Sequence, residues 1–359
     1  MNKVLRVLAI NPGSTSTKIA LYENEKCIFD EVIRYQTEEL AAYATINDQY
    51  DFRLTHIVEV LAKKEVAVCL LDAVVGRGGL LQPLSSGTYK VDDLLLEGLR
   101  NGFQAEHASN LGGQLAHGIA SMVNIPAFIV DPVCVDEFEP LARFTGLPEV
   151  KRKSLFHALN LKAVAHRVAN DLKRDYNDLN LVMVHLGGGI SVGAQKKGKM
   201  IDVADPNVTG PFSPERVGSL PTNALMNLCF SGKYSSDQMK KKLNGQGGLV
   251  AHLGTNDGRE VEKRIDNGDE QAALVYEAMA YGVAKEIGAM STVLSGKADA
   301  IVLTGGMAHS NRLVGLIKSR VDFIAPVLIY PGEDELQALV EGTLRVLRRE
   351  EEAKEYSHL

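Results

Sequence analysis

The sequence predicts an α/β fold built from two related halves. Strand-length apolar runs alternate with helically spaced apolar residues over much of the chain, the pattern of a layered α/β protein. Three short stretches also recur in the same order in both halves. AINPGSTSTKIAL (9–21) matches VHLGGGISVGA (184–194), each an apolar run, a polar glycine turn and a second run. DAVVGRGG (72–79) matches DAIVLTGG (299–306), with the Asp and both glycines in register, and IPAFIVDP (125–132) matches IAPVLIYPG (324–332). Three ordered pairs point to a duplicated domain. The 359 residues suit two domains, at roughly 100–200 residues each.

The elements follow in order. Val4–Ile10 and Ile19–Tyr22 flank the polar NPGSTSTK and predict a β-hairpin. Phe52–Lys63 places Leu54, Ile57, Val58 and Leu61 on one helical face. Ala73–Val75 and Ala127–Val130 are short buried strands, with a helix over Ser109–Val123 between them. Helical spacing returns in Ser154–Leu172, Gln271–Leu294 and Glu335–Arg349. Leu181–His185, Ile190–Ala194, Ala300–Leu303 and Val327–Tyr330 are the strands of the second half. The charged break LPEVKRK (147–153) sets the boundary, giving domains 1–150 and 151–334. The last helix, within 335–359, is expected to return to the first half, and the charged tail Glu350–Leu359 to fray. The halves are expected to face each other across a central ligand cleft, because open α/β sheets bind ligands at strand C-termini.

Composition narrows the function. Apolar residues make up 45% and charged residues 23%, enough for a sizeable core. A net charge of −6 argues against a general nucleic-acid binder, so an anionic ligand needs local cations. Cys27, Cys69, Cys134 and Cys229 are widely spaced, which fits a reducing cytoplasm better than a disulfide or zinc framework. No apolar run approaches the length of a membrane-spanning helix, and Val7–Ile10 is too short for a signal-peptide core.

Three loops suit phosphate. NPGSTSTK is no Walker A motif, since it has one glycine and its lysine leads into a strand. Its successive hydroxyl and N–H donors make an anion-binding concavity, with Asn11, Ser14, Ser16 and Lys18 as candidates; a plain polar turn is the alternative. The three glycines of HLGGGIS, Gly187, Gly188 and Gly189, are costly to order unless a backbone must approach a ligand; a tight hairpin is the alternative. LTGGMAH, with Gly305 and Gly306, leads from a strand into a helix whose start favours phosphate or a nucleotide; packing glycines are the alternative. Arg77 in VGRGGL and Arg216 in GPFSPER sit at turns, where a guanidinium fork suits carboxylate and phosphate oxygens. Asp131 ends a strand and either caps a turn or holds Mg²⁺ or a nucleophile near phosphates. His157 opens a helix, where it is either a helix cap or a site residue. No HExxH or GxSxG occurs, so hydrolase readings lack support.

INPGSTSTK, VGRGGLL, EHASNLG, VDPV, RKSLFHALN, HLGGGIS, GPFSPER, CFSGK, LGTN and IVLTGG, in this order, resemble the acetate and butyrate kinases, and the butyrate kinase subgroup most. The resemblance runs nearly end to end and implies two actin-like, ribonuclease H-like domains. It implies ATP/ADP with Mg²⁺, and reversible in-line phosphoryl transfer to a short-chain carboxylate, butyrate in the first instance. By motif, Asn11, Ser14, Ser16 and Lys18 take the phosphate and metal side. Arg77 and Arg216 take the carboxylate and the moving phosphoryl group, Asp131 the metal or nucleophile, and His157 the transition state. His185, Gly187, Gly188, Gly189, Gly305 and Gly306 fall in nucleotide loops. A metal-linked glutamate follows the PGEDE turn; Glu335 is the choice, with Asp334 and Glu333 as alternatives. The resemblance also implies a homodimer or larger homo-oligomer. Two departures stand out: DVADPNVTG (202–210) lacks an Asp/Asn-rich DGDG-like run, and Val217 replaces the serine usual after this arginine. The altered 202–210 stretch keeps open a degenerate actin-like nucleotide binder, and because the sequence does not set pocket depth, acetate, propionate or a branched acid remains the alternative to butyrate.

Overall fold

A computed structural model describes residues 3–103 and 107–357; Glu106, which opens the EHASNLG stretch, and the last two residues of the tail lie outside. The chain divides into two compact units, one of 1–136, 158–163 and 334–359 and the other of 137–157 and 164–333. It first passes from one to the other between Asp136 and Glu137, upstream of the charged 147–153 stretch.

The first unit carries strands β1 (Arg6–Pro12), β2 (Ser16–Glu23), β3 (Lys26–Arg34), β4 (Ala73–Arg77), β5 (Thr88–Lys90) and β6 (Ala127–Val130). Its early helices are α1 (Thr37–Leu40), α2 (Tyr50–Lys63), α3 (Asp93–Asn101) and α4 (Asn110–Ser121). The sheet order is β3-β2-β1-β4-β6-β5. β1 to β3 form an antiparallel meander, while β1, β4 and β6 run parallel. The centre of β1, Val7–Ile10, is apolar because both faces are covered. Leu8 and Ile10 face the core shared with α2, α3 and α4; Val7 and Ala9 face the opposite core.

The second unit opens on irregular chain and takes most of α5 (Ala158–Leu172). Its strands are β7 (Asn180–Leu186), β8 (Ile190–Lys196), β9 (Lys199–Ala204), β10 (Ala300–Gly305) and β11 (Val327–Pro331). Its helices are α6 (Thr222–Cys229), α7 (Ser236–Leu243), α8 (Gly248–Leu253), α9 (Gly258–Asp266), α10 (Glu270–Val293) and α11 (Asn311–Val321). Asp269 accepts from the Ala272 N–H at 2.9 Å to open α10, whose Val275, Tyr276, Met279 and Val283 lie in the core with β7, β8 and β10.

The order β11-β10-β7-β8-β9 reproduces that of the first unit strand for strand, β5 aside. The three sequence repeats fall on β1–β2 and β7–β8, β4 and β10, and β6 and β11. The fold is a duplicated actin-like α/β fold.

α12 (Glu335–Leu347) belongs to the first unit, where Leu336, Leu339, Val340 and Leu344 cover the face of Val7, Ala9, Val75 and Phe128. The tail beyond it does not fray as expected. Lys354 exchanges backbone hydrogen bonds with Thr88 and Lys90, at 2.8 and 3.0 Å, and Tyr356 is buried. Its charges are the rim of a strand-like contact anchored by one aromatic ring. α5 also starts later than its apolar spacing suggests, at Ala158 instead of Ser154, leaving His157 at the cap in a non-helical conformation.

Candidate functional site

In the first unit the sheet brings three candidates to one edge. Parallel pairing of Ile10 with Gly76 places Asn11 and Arg77 side by side at the C-terminal ends of β1 and β4. The Glu335 carboxylate, at the start of α12, accepts from the Asn11 amide and the Arg77 guanidinium. Its two neighbours in sequence do other work. Asp334 caps α12 through the Gln337 N–H at 2.9 Å, and Glu333 stands 3.6 Å from His185 Nε2 in the second unit. His107, which sequence reasoning missed, lies within electrostatic reach of Arg77; burial first and that guanidinium second push its pKa down.

Asp131 follows β6 on the same edge but is 4% exposed, and its carboxylate oxygen accepts from Ser86 Oγ at 2.6 Å and the Gly87 N–H at 2.7 Å. Burial raises its pKa, against Lys162 first and Ser86 next. Of the two readings open in the sequence, Oδ1 serves the turn cap.

The β1–β2 turn presents Ser14 and Lys18 to solvent, with Ser16 half-buried. Gly13 N–H closes the turn on the Ser16 carbonyl at 2.7 Å. The residue beneath it, Arg53 of α2, was not singled out by sequence because an arginine on an amphipathic helix reads as a solvated face.

In the second unit, β7 ends on His185 and Leu186, and β8 begins at Ile190, so Gly187–Gly189 form the hairpin turn. His157 stacks on His185, with ring centroids 3.8 Å apart and planes 12° off parallel. His157 Nδ1 lies 2.9 Å from Ser191 Oγ, the register partner of His185. Burial, then His157, then Arg216 lower the His185 pKa well below the ordinary histidine value, which keeps that ring neutral.

The GPFSPER segment is tied onto the same turn. Ser213 Oγ and the Glu215 N–H donate to the Gly188 carbonyl at 2.6 and 3.3 Å. A Cβ on Gly189 would lie 2.2 Å from Arg216 Nη1, so glycine is what admits the guanidinium. Arg216 Nε is buried without a hydrogen-bond partner. Burial lowers the Arg216 pKa, against Glu215 and Asp205. Glu215 accepts from Asn256 Nδ2 at 2.6 Å, and Asp205 folds the atypical 202–210 stretch by accepting from the Asn207 N–H at 2.8 Å. Neither acid was singled out, although Glu215 directly precedes Arg216.

Gly305 and Gly306 divide the two readings of their loop. At Gly305, φ is +90° and a Cβ would lie 2.4 Å from the Leu186 carbonyl oxygen, so the backbone requires glycine there. A Cβ on Gly306 would meet nothing within 4 Å, which leaves room for a ligand's close approach.

The residues fit the implied groups. An orphaned guanidinium N–H beside a glycine turn suits a phosphate oxygen. The Asn11 carbonyl and Glu335 carboxylate are hard oxygen donors, which suits Mg²⁺ held mostly by water and phosphates. Among the described residues no cluster of three or more His, Cys, Asp or Glu could hold a metal alone.

Residues 149–322 match the model of the Acetokinase family. Among solved structures, the acetate kinase of Porphyromonas gingivalis is 20% identical with a TM-score of 0.80, over 96% of this chain and 100% of that one. The propionate kinase of Francisella tularensis is 20% identical with a TM-score of 0.75, over 94% and 98%. The acetate kinase of Entamoeba histolytica is 16% identical with a TM-score of 0.76, over 94% and 99%. With the two matching sheets, these likenesses establish the acetokinase form of the actin-like α/β fold.

Proposed function

We propose that the chain moves the γ-phosphoryl group of ATP to the carboxylate of a short-chain acid, butyrate first, giving an acyl phosphate and ADP, reversibly. The observation that carries this reading is the buried, unpartnered Nε of Arg216 against the glycine turn, beside the stacked His157–His185 pair. The match of 149–322 to the Acetokinase family model supports it. Butyrate rests on the motif resemblance; acetate and propionate are the acids named for the solved relatives.

The chemistry sets what the residues must do. A short carboxylic acid, by analogy with Asp and Glu side chains, is ionised at pH 7 and needs no general base. A carboxylate oxygen bonds to the γ-phosphorus as the bond to the β–γ bridging oxygen breaks. The obstacle is repulsion between two anions, so catalysis is positioning and charge stabilisation. Arg77, oriented by Glu335, takes the carboxylate. Arg216 takes the moving phosphoryl group. His157, held by Ser191 and by the neutral face of His185, donates to the same oxygens. Asn11 and Glu335 would hold Mg²⁺, which supplies positive charge to the phosphates when bound. Ser14, Ser16, Lys18, Gly187, Gly188 and Gly306 serve the nucleotide. A homo-oligomer is supported by the motif resemblance, and a cytoplasmic location by four cysteines that are all unpaired.

Hydroxylamine trapping of acyl phosphate, with ATP and acids from acetate to hexanoate, tests the reading. A maximum at butyrate is expected. A maximum at acetate or propionate keeps the reaction and changes the acid. ATP binding with no acyl phosphate from any acid ends the proposal in favour of a degenerate nucleotide binder, the reading that the altered 202–210 stretch favours.

A further inference from the structure

Arg53 is 1% exposed, among the largest fully buried side chains of the described residues. Its five N–H donors are spent on uncharged acceptors. Nη1 donates to the Gly13 carbonyl at 2.8 Å, and to the Ser16 carbonyl and Thr17 Oγ1 at 3.3 Å. Nη2 donates to the Ser14 carbonyl at 3.0 Å and to Gln49 Oε1 at 2.8 Å, and Nε to the same Gln49 oxygen at 3.1 Å. The guanidinium also lies over the Tyr35 ring, 4.8 Å from its centroid, and Tyr35 itself donates to Thr17 Oγ1 at 2.8 Å. Among the described residues no carboxylate pairs with Arg53.

A buried charge without a counter-ion is expensive, and a protein that keeps one elsewhere usually supplies a carboxylate. Here the cation sits directly under the polar β1–β2 turn. Three of the turn's carbonyls point inward to it. Across each planar trans peptide the next N–H points the other way, so the Ser14 and Thr15 N–H groups face the exposed side. Carbonyls clamped inward and donors aimed outward make an anion concavity with a cation as its floor.

We infer that Arg53 is the buried counter-charge of this turn: its positive charge is completed by a phosphate group bound on the outer side, with Ser14 and Thr15 donating directly. This rests on the proposed reading that the turn holds the phosphates of ATP. Arg53 touches no ligand and acts through the turn, so it is a positioning residue.

The test is calorimetric titration of the full-length protein with Mg·ATP in the absence of acid, for wild type, Arg53→Gln and Arg53→Lys. Cooperative thermal unfolding is checked for each. Arg53→Gln keeps a polar amide donor and loses the charge; its ATP affinity is expected to fall about tenfold or more, equivalent to roughly 1.4 kcal/mol. Arg53→Lys keeps the charge with three donors in place of five, so it is expected to lose less affinity than Arg53→Gln and to stay within about threefold of wild type. In turnover assays the Arg53→Gln loss should appear in KM for ATP and leave KM for the acid unchanged. A folded Arg53→Gln with wild-type ATP affinity and only a lower melting temperature overturns the inference and assigns Arg53 to structure alone. Should Arg53→Gln not fold, Arg53→Lys decides: affinity within about threefold supports the inference, and a tenfold loss overturns it. Wild type that binds ATP but forms no acyl phosphate ends the proposed reaction and leaves the counter-charge standing; wild type that binds no ATP ends both.

Discussion

At Arg216 the chain leaves one buried donor unspent, and a donor of that kind has its value when charge develops on a ligand oxygen. Arg216→Ala and Arg77→Ala are each expected to lose on the order of 10²–10³ in turnover, the size of one missing transition-state donor. Steady-state acyl phosphate assays check this, and wild-type turnover in either variant removes its assignment. Both arginines were legible in the sequence because each interrupts a glycine or proline turn. Arg53 was not, because helical spacing reports a face and carries no information on what lies beneath it. Asp131 shows the reverse. Its place at a strand end was legible, but only the Ser86 and Gly87 donors reveal that its Oδ1 is taken up by a turn.

Among elements, the β10–α11 loop separates folding from binding within two adjacent glycines. Gly305→Ala is expected to destabilise by well over about 1 kcal/mol, since the new methyl meets the Leu186 carbonyl at a positive φ. Gly306→Ala should leave the melting temperature nearly unchanged and raise KM for ATP. Thermal unfolding alongside kinetics reads both; equal stability losses would cancel the distinction. Most of the strands that sequence analysis found, such as β1 and β7, are buried on both faces; β11 was found although partly exposed, and β9 was missed although buried, because its apolar residues are interrupted by Lys199 and Asp202. Sequence analysis also missed β3, whose outer residues are mostly exposed, and the charged helices α7 and α9, because an edge or solvated element carries little apolar pattern.

For the whole molecule, buried histidine sets a pH dependence of stability. The His185 pKa is depressed by burial, then by His157 and Arg216. Below about pH 6.5 the unfolded chain takes up a proton that the folded site refuses, so stability falls as pH falls. The slope from this one group reaches about 1.4 kcal/mol per pH unit. His107 is shifted in the same direction and adds to it. Urea midpoints at pH 5.5 and 7.5 should therefore differ more for wild type than for His185→Gln, and equal differences would remove His185 as the source.

The duplicated α/β fold, the three phosphate-suited turns and the arginines at two further turns were legible in the sequence alone. Each of these is written in local spacing, where apolar period, glycine and proline act on neighbouring residues. Only the tertiary structure decided which of Glu333, Asp334 and Glu335 meets Asn11 and Arg77, that Gly189 admits Arg216, and that Arg53 underlies the first turn. Those are contacts between residues as many as 324 positions apart, fixed by how strands pair and helices dock. No local pattern encodes such a meeting, because a hydrogen bond or ion pair depends on where two side chains arrive once the core has closed.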